Sequence, residues 1–250
     1  MSKNYKESFE KTKKAGEIAA GALDEVAKII KPGIQTDKID KLCYEYINDN
    51  GAYSAPLFYR GFPKSCCTST NHIVCHGIPS DKILKDGDIV NVDVTALKDG
   101  WHGDTSRTYE IGEVSVKAKK LIKTTFDAMM KAIKIIKEDV FLGDIGATIQ
   151  NHVEAEGFSV VQDFCGHGIG RHFHQEPNVL HYGKKGTGER IKAGMIFTIE
   201  PMINFGKYET KTLNDGWTAV TKDKSLSAQF EHTIGVTKDG YEIFTLSKQQ

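Results

Sequence analysis

The 250-residue sequence predicts an α+β fold built as two similar halves, about residues 9–110 and 117–245, within one domain spanning 1–250. Three observations lead there. Apolar residues recur at helical spacing early in each half, period-two alternation marks strands that follow, and one acidic side chain falls at the same place in each strand region. Halves related by a pseudo-twofold axis would bring the matching strands together in a central antiparallel sheet, with helices covering its outer face. No Pro/Gly/Ser-rich linker separates the halves.

From Phe9 to Ile30 the apolar positions Phe9, Ala15, Ile18, Ala19, Ala22, Leu23, Val26, Ile29 and Ile30 trace one helical face, stopped by Pro32-Gly33. A second helix is expected from about Thr36 to Asn50, with Thr36 or Asp37 as N-cap and Gly51 as its stop. The stretch from Lys131 to Phe158 repeats the plan of helix, short break, helix and glycine, so that Gly157 answers Gly51 across 106 residues. The echo continues where KDGDIVNVDV (85–94) lies over KAGMIFTIEP (192–201), matching Gly87 to Gly194 and Asp93 to Glu200.

Val90, Val92 and Val94 alternate as a half-buried strand does, which puts Asp93 on the opposite face. Lys98-Asp99-Gly100 supplies turn chemistry, and a second run from Trp101 to Ile111 completes a hairpin that is expected to set Asp93 opposite Asp104 within one residue. Like charges across a ladder destabilise it unless water or a cation lies between them.

Composition narrows the function. Thirty-three basic residues balance thirty-three acidic ones, so no global charge advertises nucleic acid or an acidic membrane surface. The charged start MSKNYKESFEKTKKAG is not an export signal, and no run reaches membrane-spanning length. Five cysteines (Cys43, Cys66, Cys67, Cys75, Cys165) without CxxC spacing argue against a disulfide framework and for a reducing, cytoplasmic setting.

The chemistry concentrates in a few places. Glu200 sits inside the apolar run Met195 to Ile203, and Glu231 lies between Phe230 and the strand-like His232 to Thr237. A buried carboxylate must be neutral, paired or bound to metal. His167 is flanked by Gly166, Gly168 and Gly170, which remove Cβ atoms where a backbone must come close to something. His102, His152, His181 and His232 read as packed or surface residues, while His72 and His172 are undecided. Asp93, Asp104, His167, Glu200 and Glu231 form an oxygen-rich set with one imidazole, suited to Mn²⁺, Fe²⁺, Co²⁺ or Zn²⁺ and too anionic for one divalent ion. Two ions about 3.5–4 Å apart would acidify a water between them. The Gly166 to Gly170 spacing does not match a dinucleotide fingerprint.

The segments CHGIP, NVDVT, HGDTS, GHGIGRHFHQEP, FTIEPM and AQFEHT, in that order from the first helix nearly to the last residue, resemble the type I methionine aminopeptidases, a family with the pita-bread fold. The resemblance implies hydrolysis of the first peptide bond of nascent proteins after methionine, with a small second residue. It implies the same five metal ligands, Glu200 as proton shuttle, His174 as donor to the developing oxyanion and His76 as donor to the substrate amide. It places a methionine side-chain slot around Tyr59, Phe62, Cys67, His76, Phe173, His174 and Trp217, and a monovalent-cation site near Asn71, Ile73 and Ser227. A short bacterial-type layout follows, with a monomer acting on N-terminal peptides, the ribosome as a partner through its substrate, and no direct role for nucleic acid or membrane. The chain departs from the family pattern at Pro56, Phe62, His72 and Gln175. Proline-directed or creatinase-like hydrolases on the same fold, a non-catalytic binding protein and, more weakly, a dinuclear phosphoesterase are the rival readings.

Overall fold

A computed structural model describes residues 5–247, so the first four residues of the charged start and the last three of the 1–250 span lie outside the described residues. Helices α1 (Tyr5–Ile29) and α2 (Thr36–Asp49) open the first half, and α3 (Val116–Lys134) and α4 (Leu142–Ala155) open the second. The buried face of α1 is the stripe expected from its spacing, with Ala15, Ala19, Ala22 and Val26 fully enclosed. Gln35 rather than Thr36 or Asp37 occupies the N-cap of α2. The Thr36 hydroxyl is engaged elsewhere: it donates to the Ser80 carbonyl at 3.0 Å and accepts from the Ser80 N–H at 2.9 Å. Ser115 caps α3 by accepting from the Ala118 N–H.

In the first half, β1 (Tyr53–Ser54), β2 (Cys67–Thr70), β4 (Ile89–Lys98) and β5 (Trp101–Glu110) form one antiparallel sheet, with β4 paired to all the others. Val90, Val92 and Val94 face a core shared with Leu23, Val26, Ile39 and Ile47 of the two helices. In the second half, β7 (Gly166–Gly168), β8 (Gln175–Val179), β9 (Ile196–Ile199), β14 (His232–Val236) and β15 (Tyr241–Ile243) form a five-stranded antiparallel sheet in the order β15-β14-β9-β7-β8. Phe197, Ile199 and Ile234 pack there against Leu121, Met129, Ile145 and Ile149 of α3 and α4. Two three-stranded sheets complete the strand layer: β10 (Met202–Asn204) between β6 (Ser159–Val160) and β13 (Ser227–Gln229), and β12 (Ala219–Thr221) between β3 (Ile73–Cys75) and β11 (Thr210–Thr212).

The matched glycines behave alike. Gly51 and Gly157 end helices at φ +65° and +84°, and Gly87 and Gly194 turn into the matched strands at +88° and +93°. Those strands, β4 and β9, do not pair with each other, because both edges of each are taken by neighbours of its own half. The halves join instead where β3 pairs with β12 and where β5 meets the start of β14, through a bridge between Ser106 and Glu231.

α1 lies directly on β5. A Cβ on Gly103 would stand 2.2 Å from the Gly16 nitrogen and 2.6 Å from the Ala15 carbonyl carbon, and neither backbone can yield without moving the helix. Gly103→Ala is therefore expected to cost about 3 kcal/mol or more, read as a lowered urea midpoint, since overpacking against rigid neighbours is at the upper end of its usual range. Gly100→Ala is the control: it meets only the Arg171 side chain at 3.8 Å. Its cost is the left-handed φ alone, about 1–2 kcal/mol. Equal losses at the two positions would count against this close approach.

Candidate metal centre

The hairpin of β4 and β5 turns at Asp99 and Gly100, both with positive φ (51° and 79°), as a two-residue type I′ connection requires. That turn fixes the register. Asp93 lies opposite Ser106 and Asp104 opposite Thr95, so the expected direct opposition of the two acids is corrected to a diagonal one on the same face. The Thr95 hydroxyl donates to Asp104 Oδ1 at 2.7 Å.

β7 brings in His167. Flanking glycines make this possible, because a Cβ on Gly166 would stand 2.4 Å from the Thr198 carbonyl oxygen and one on Gly168 would stand 2.1 Å from that of Glu176. The something that the glycine pattern implied is thus the backbone of β8 on one side and β9 on the other. His167 Nδ1 points to the Gly168 carbonyl oxygen at 3.1 Å, which leaves Nε2 facing Asp104 Oδ2 at 3.7 Å and Glu200 Oε1 at 3.6 Å. Burial pushes this imidazole down to about 4, so it faces the carboxylates as a neutral ring with a free lone pair.

Glu200 follows β9 directly. Its Oε1 accepts from the Thr198 hydroxyl at 2.7 Å and its Oε2 from Gln229 Nε2 at 3.3 Å. Its backbone N–H donates to His181 Nε2 at 3.1 Å, so His181, which the sequence assigned to packing, supports the site. Glu231, 2% exposed, anchors its own N–H on the Ser106 carbonyl at 3.1 Å and leaves Oε1 buried without a partner. Ligand atoms of Asp104, His167 and Glu231 lie within 4.8 Å of one another. Glu200 adjoins this group through His167, and Asp93 stands two residues along the strand face from Thr95, the partner of Asp104.

Burial pushes Asp93 up to about 7, and burial together with the Asp93 charge pushes Glu200 up to about 8 against the pull of its Thr198 bond. Asp104 and Glu231 are driven well above the carboxylate range, first by burial and then by neighbouring carboxylates. No lysine or arginine among the described residues pairs with any of the four; His167 alone does. Hard oxygen donors, one imidazole lone pair and an orphaned Glu231 oxygen fit divalent cations.

These groups line one cavity of about 350 Å³. Tyr59, Phe62, Cys67, His76, Phe173, His174 and Trp217 line it as well, so the structure brings together all twelve expected site residues. Phe62 and Trp217 meet edge to face at 5.2 Å, and Tyr59 lies against Phe173 at 4.9 Å and His174 at 5.3 Å. His76 holds a left-handed φ of 56°, a strained backbone of the kind found at functional positions, and its ring faces Phe164 and Trp217 edge-on. His102 stacks on Phe173 and bonds the Gly170 carbonyl at 2.8 Å, His232 bonds Thr245 at 2.8 Å, and His152 sits outside beside Lys131. His172 belongs to a separate cleft of about 580 Å³, and His72 is outside the cavity. Sequence reasoning missed Thr95, Thr198, His181 and Gln229, whose roles depend on contacts that no motif spacing reveals. Asn71 and Ser227 adjoin through a 2.8 Å bond from the Ser227 N–H to the Asn71 carbonyl, and the Ser227 hydroxyl is buried without a partner.

Two matched halves that bury carboxylates and one imidazole at their junction define a metal-dependent hydrolase of the pita-bread class. Residues 10–238 match metallopeptidase family M24, and the chain belongs to that family. It is 57% identical to a methionine aminopeptidase of Rickettsia prowazekii over 97% of this chain and 94% of the relative, and 53% identical to that of Escherichia coli K12 over 97% and 92%. The crystal structure of the Rickettsia prowazekii methionine aminopeptidase superposes with a TM-score of 0.95, covering 96% of this chain and 98% of that one. A prolidase from Pyrococcus furiosus, 22% identical with a TM-score of 0.79 over 97% of this chain and 65% of its own, shares the fold.

The raised carboxylates give a signed expectation. Unfolded Asp and Glu titrate near 3.9 and 4.3, but burial also lowers His76, His102, His167, His174, His181 and His232, whose unfolded forms take up protons below about 6.5 and offset the carboxylates there. The folded protein therefore binds more protons than the unfolded chain between about pH 7 and 8. Metal-free protein should lose stability as pH rises through that window, seen as a falling Tm in chelator from about pH 7 to 8.5. Metal binding needs the deprotonated ligands, so Mn²⁺ should raise Tm more at pH 8 than at pH 6, by about 5–10 °C at saturation. A Tm indifferent to metal at both pH values would rule out this site.

Proposed function

We infer that the protein removes the N-terminal methionine from peptide chains whose second residue is small. The observation that carries this reading is the sulfur- and aromatic-lined slot of Tyr59, Phe62, Cys67, Phe173 and Trp217 opening into the same cavity as the buried carboxylates. An unbranched thioether suits such walls, through contacts of sulfur with ring edges. Asp93, Asp104, His167, Glu200 and Glu231 would hold two divalent ions, drawn from Mn, Fe, Co or Zn, which supply an acidified water and Lewis acidity toward a carbonyl.

The remaining chemistry belongs to the protein. Glu200, held by Thr198 and Gln229, takes the proton of the attacking water and delivers it to the departing amide nitrogen. His174 donates to the oxygen of the scissile carbonyl as charge builds there, its ring fixed by the contact of Nδ1 with the Tyr59 hydroxyl at 3.1 Å. Burial lowers His76, which favours the neutral ring that hydrogen-bonds the substrate amide without adding charge. The five ligands come from both halves, which supports one catalytic domain rather than two separable ones. The unpartnered Ser227 hydroxyl supports a monovalent cation beside Asn71 and Ile73. The five free cysteines support a cytoplasmic setting, and nascent chains as substrate support work near the ribosome by a monomer, without direct nucleic-acid or membrane contact.

Hydrolysis of Met-Ala-Ser should be abolished by a chelator and restored by added metal, with Met-Leu-initiated peptides far slower. Asp104→Asn should lose metal binding and activity together. His174→Ala should lower kcat by about 10²–10³, the usual cost of one oxyanion donor. Equal cleavage of proline-initiated peptides would favour a proline-directed enzyme, and no cleavage under any metal would favour a binding protein.

A further inference from the structure

The rim of the cavity carries a cation that the proposed chemistry does not use. The turn from Pro56 to Phe62 is closed on itself by backbone bonds, from the Tyr59 N–H to the Pro56 carbonyl (2.9 Å), from the Phe58 N–H to the Phe62 carbonyl (2.8 Å) and from the Phe62 N–H to the Tyr59 carbonyl (2.9 Å). Within it Phe58 and Arg60 are both left-handed, at φ 65° and 48°. Residues with a Cβ adopt that conformation rarely, and such outliers concentrate where a side chain must be aimed. Here the strain places Tyr59 in the slot and Arg60 on the exposed rim, with its guanidinium 5.3 Å from the Tyr59 ring centre. Among the described residues Arg107 and Arg190 pair with Asp24 and Asp139, whereas Arg60 pairs with no carboxylate. Asp163, which also lines the cavity, is occupied by the Thr210 hydroxyl at 2.5 Å.

We propose that Arg60 reads the charge of the substrate beyond its second residue and favours peptides with an acidic side chain there. The proposal rests on the methionine-removal reading, because the slot and His174 then fix the first residue inside and send the rest of the peptide out past Arg60. A guanidinium exposed on a rim attracts a carboxylate without being buried by it, so the effect is modest and screened by salt.

The test uses C-terminally amidated Met-Ala-Ser-Glu, Met-Ala-Ser-Gln and Met-Ala-Ser-Lys, together with variants that move the charged residue to the third position. At low ionic strength the Glu peptide should exceed the Gln peptide about two- to five-fold in kcat/KM, carried by KM, and the ratio should fall toward one at 1 M salt, where the screening length is about 3 Å. R60Q should bring the ratio to one, R60K should retain it, and R60E should invert it. A ratio of one in the unaltered enzyme at low salt, or a Glu preference that survives R60Q, would overturn the proposal. A Lys preference that survives R60Q would also overturn it, by placing the peptide along Asp163. If none of the peptides is cleaved, the methionine reading fails. The charge ratio is then read from binding, as the peptide concentration that shifts tryptophan emission, and a ratio of one there sinks the Arg60 assignment independently.

Discussion

Three buried carboxylates, the half-buried Asp93 and one neutral imidazole share a single cavity, and the repulsion among the acids is the constraint on which the rest of the structure depends. The protein does not answer that repulsion with its own cations. It answers with neutral hydroxyl and amide donors, Thr95 on Asp104 and Thr198 with Gln229 on Glu200, which hold a carboxylate in place without neutralising it. Donors of that kind orient a charge and leave most of its field available. A buried Lys or Arg in the same place would have satisfied the acids and closed the site to an ion from outside. The polar design therefore conserves affinity for divalent cations at the expense of stability in their absence.

How the ligands are pinned explains why the fold needs so many short strands. His167 sits on a three-residue strand squeezed between β8 and β9, a position open only because Gly166 and Gly168 lack side chains. Glu200 and Glu231 both stand just past strand ends, after β9 and before β14, where backbone direction changes and a side chain can be aimed inward. Each is also held at its own main chain, Glu200 by His181 and Glu231 by Ser106. Position is thus set by backbone hydrogen bonds, and the side-chain bonds need only choose a rotamer.

The sequence exposed most of this and hid the rest for identifiable reasons. Residues that announce themselves by type and neighbourhood, such as an acid inside the apolar run of Glu200 or a histidine between glycines at His167, were legible. So was the repeat, because turns that need positive φ recur as Gly51 with Gly157 and Gly87 with Gly194. Register was less so: Lys98-Asp99-Gly100 marks a turn but not which two residues form its centre, and choosing Asp99 and Gly100 shifts the acids from opposed to diagonal. His181 was assigned to packing because its partner is a backbone N–H 19 residues away, a contact with no sequence signature. The route by which the halves join was also hidden, since it depends on which strand edges remain open after each half has folded.

That junction accounts for the placement of the site. Asp93, Asp104, His76, Cys67, Tyr59 and Phe62 come from the first half, and His167, Phe173, His174, Glu200, Trp217 and Glu231 from the second. Several of the bonds that sew the halves together run through the ligands themselves. The Thr233 hydroxyl accepts from the Asp104 N–H at 3.0 Å and donates to the Asp104 carbonyl at 2.8 Å, while the Thr105 hydroxyl donates to the Glu231 carbonyl at 2.7 Å. Asp104 and Glu231 therefore cannot shift relative to each other without breaking the seam, and the seam cannot open without separating them. The geometry of the metal centre and the docking of the two halves thus share contacts, so whatever neutralises the centre also strengthens the junction.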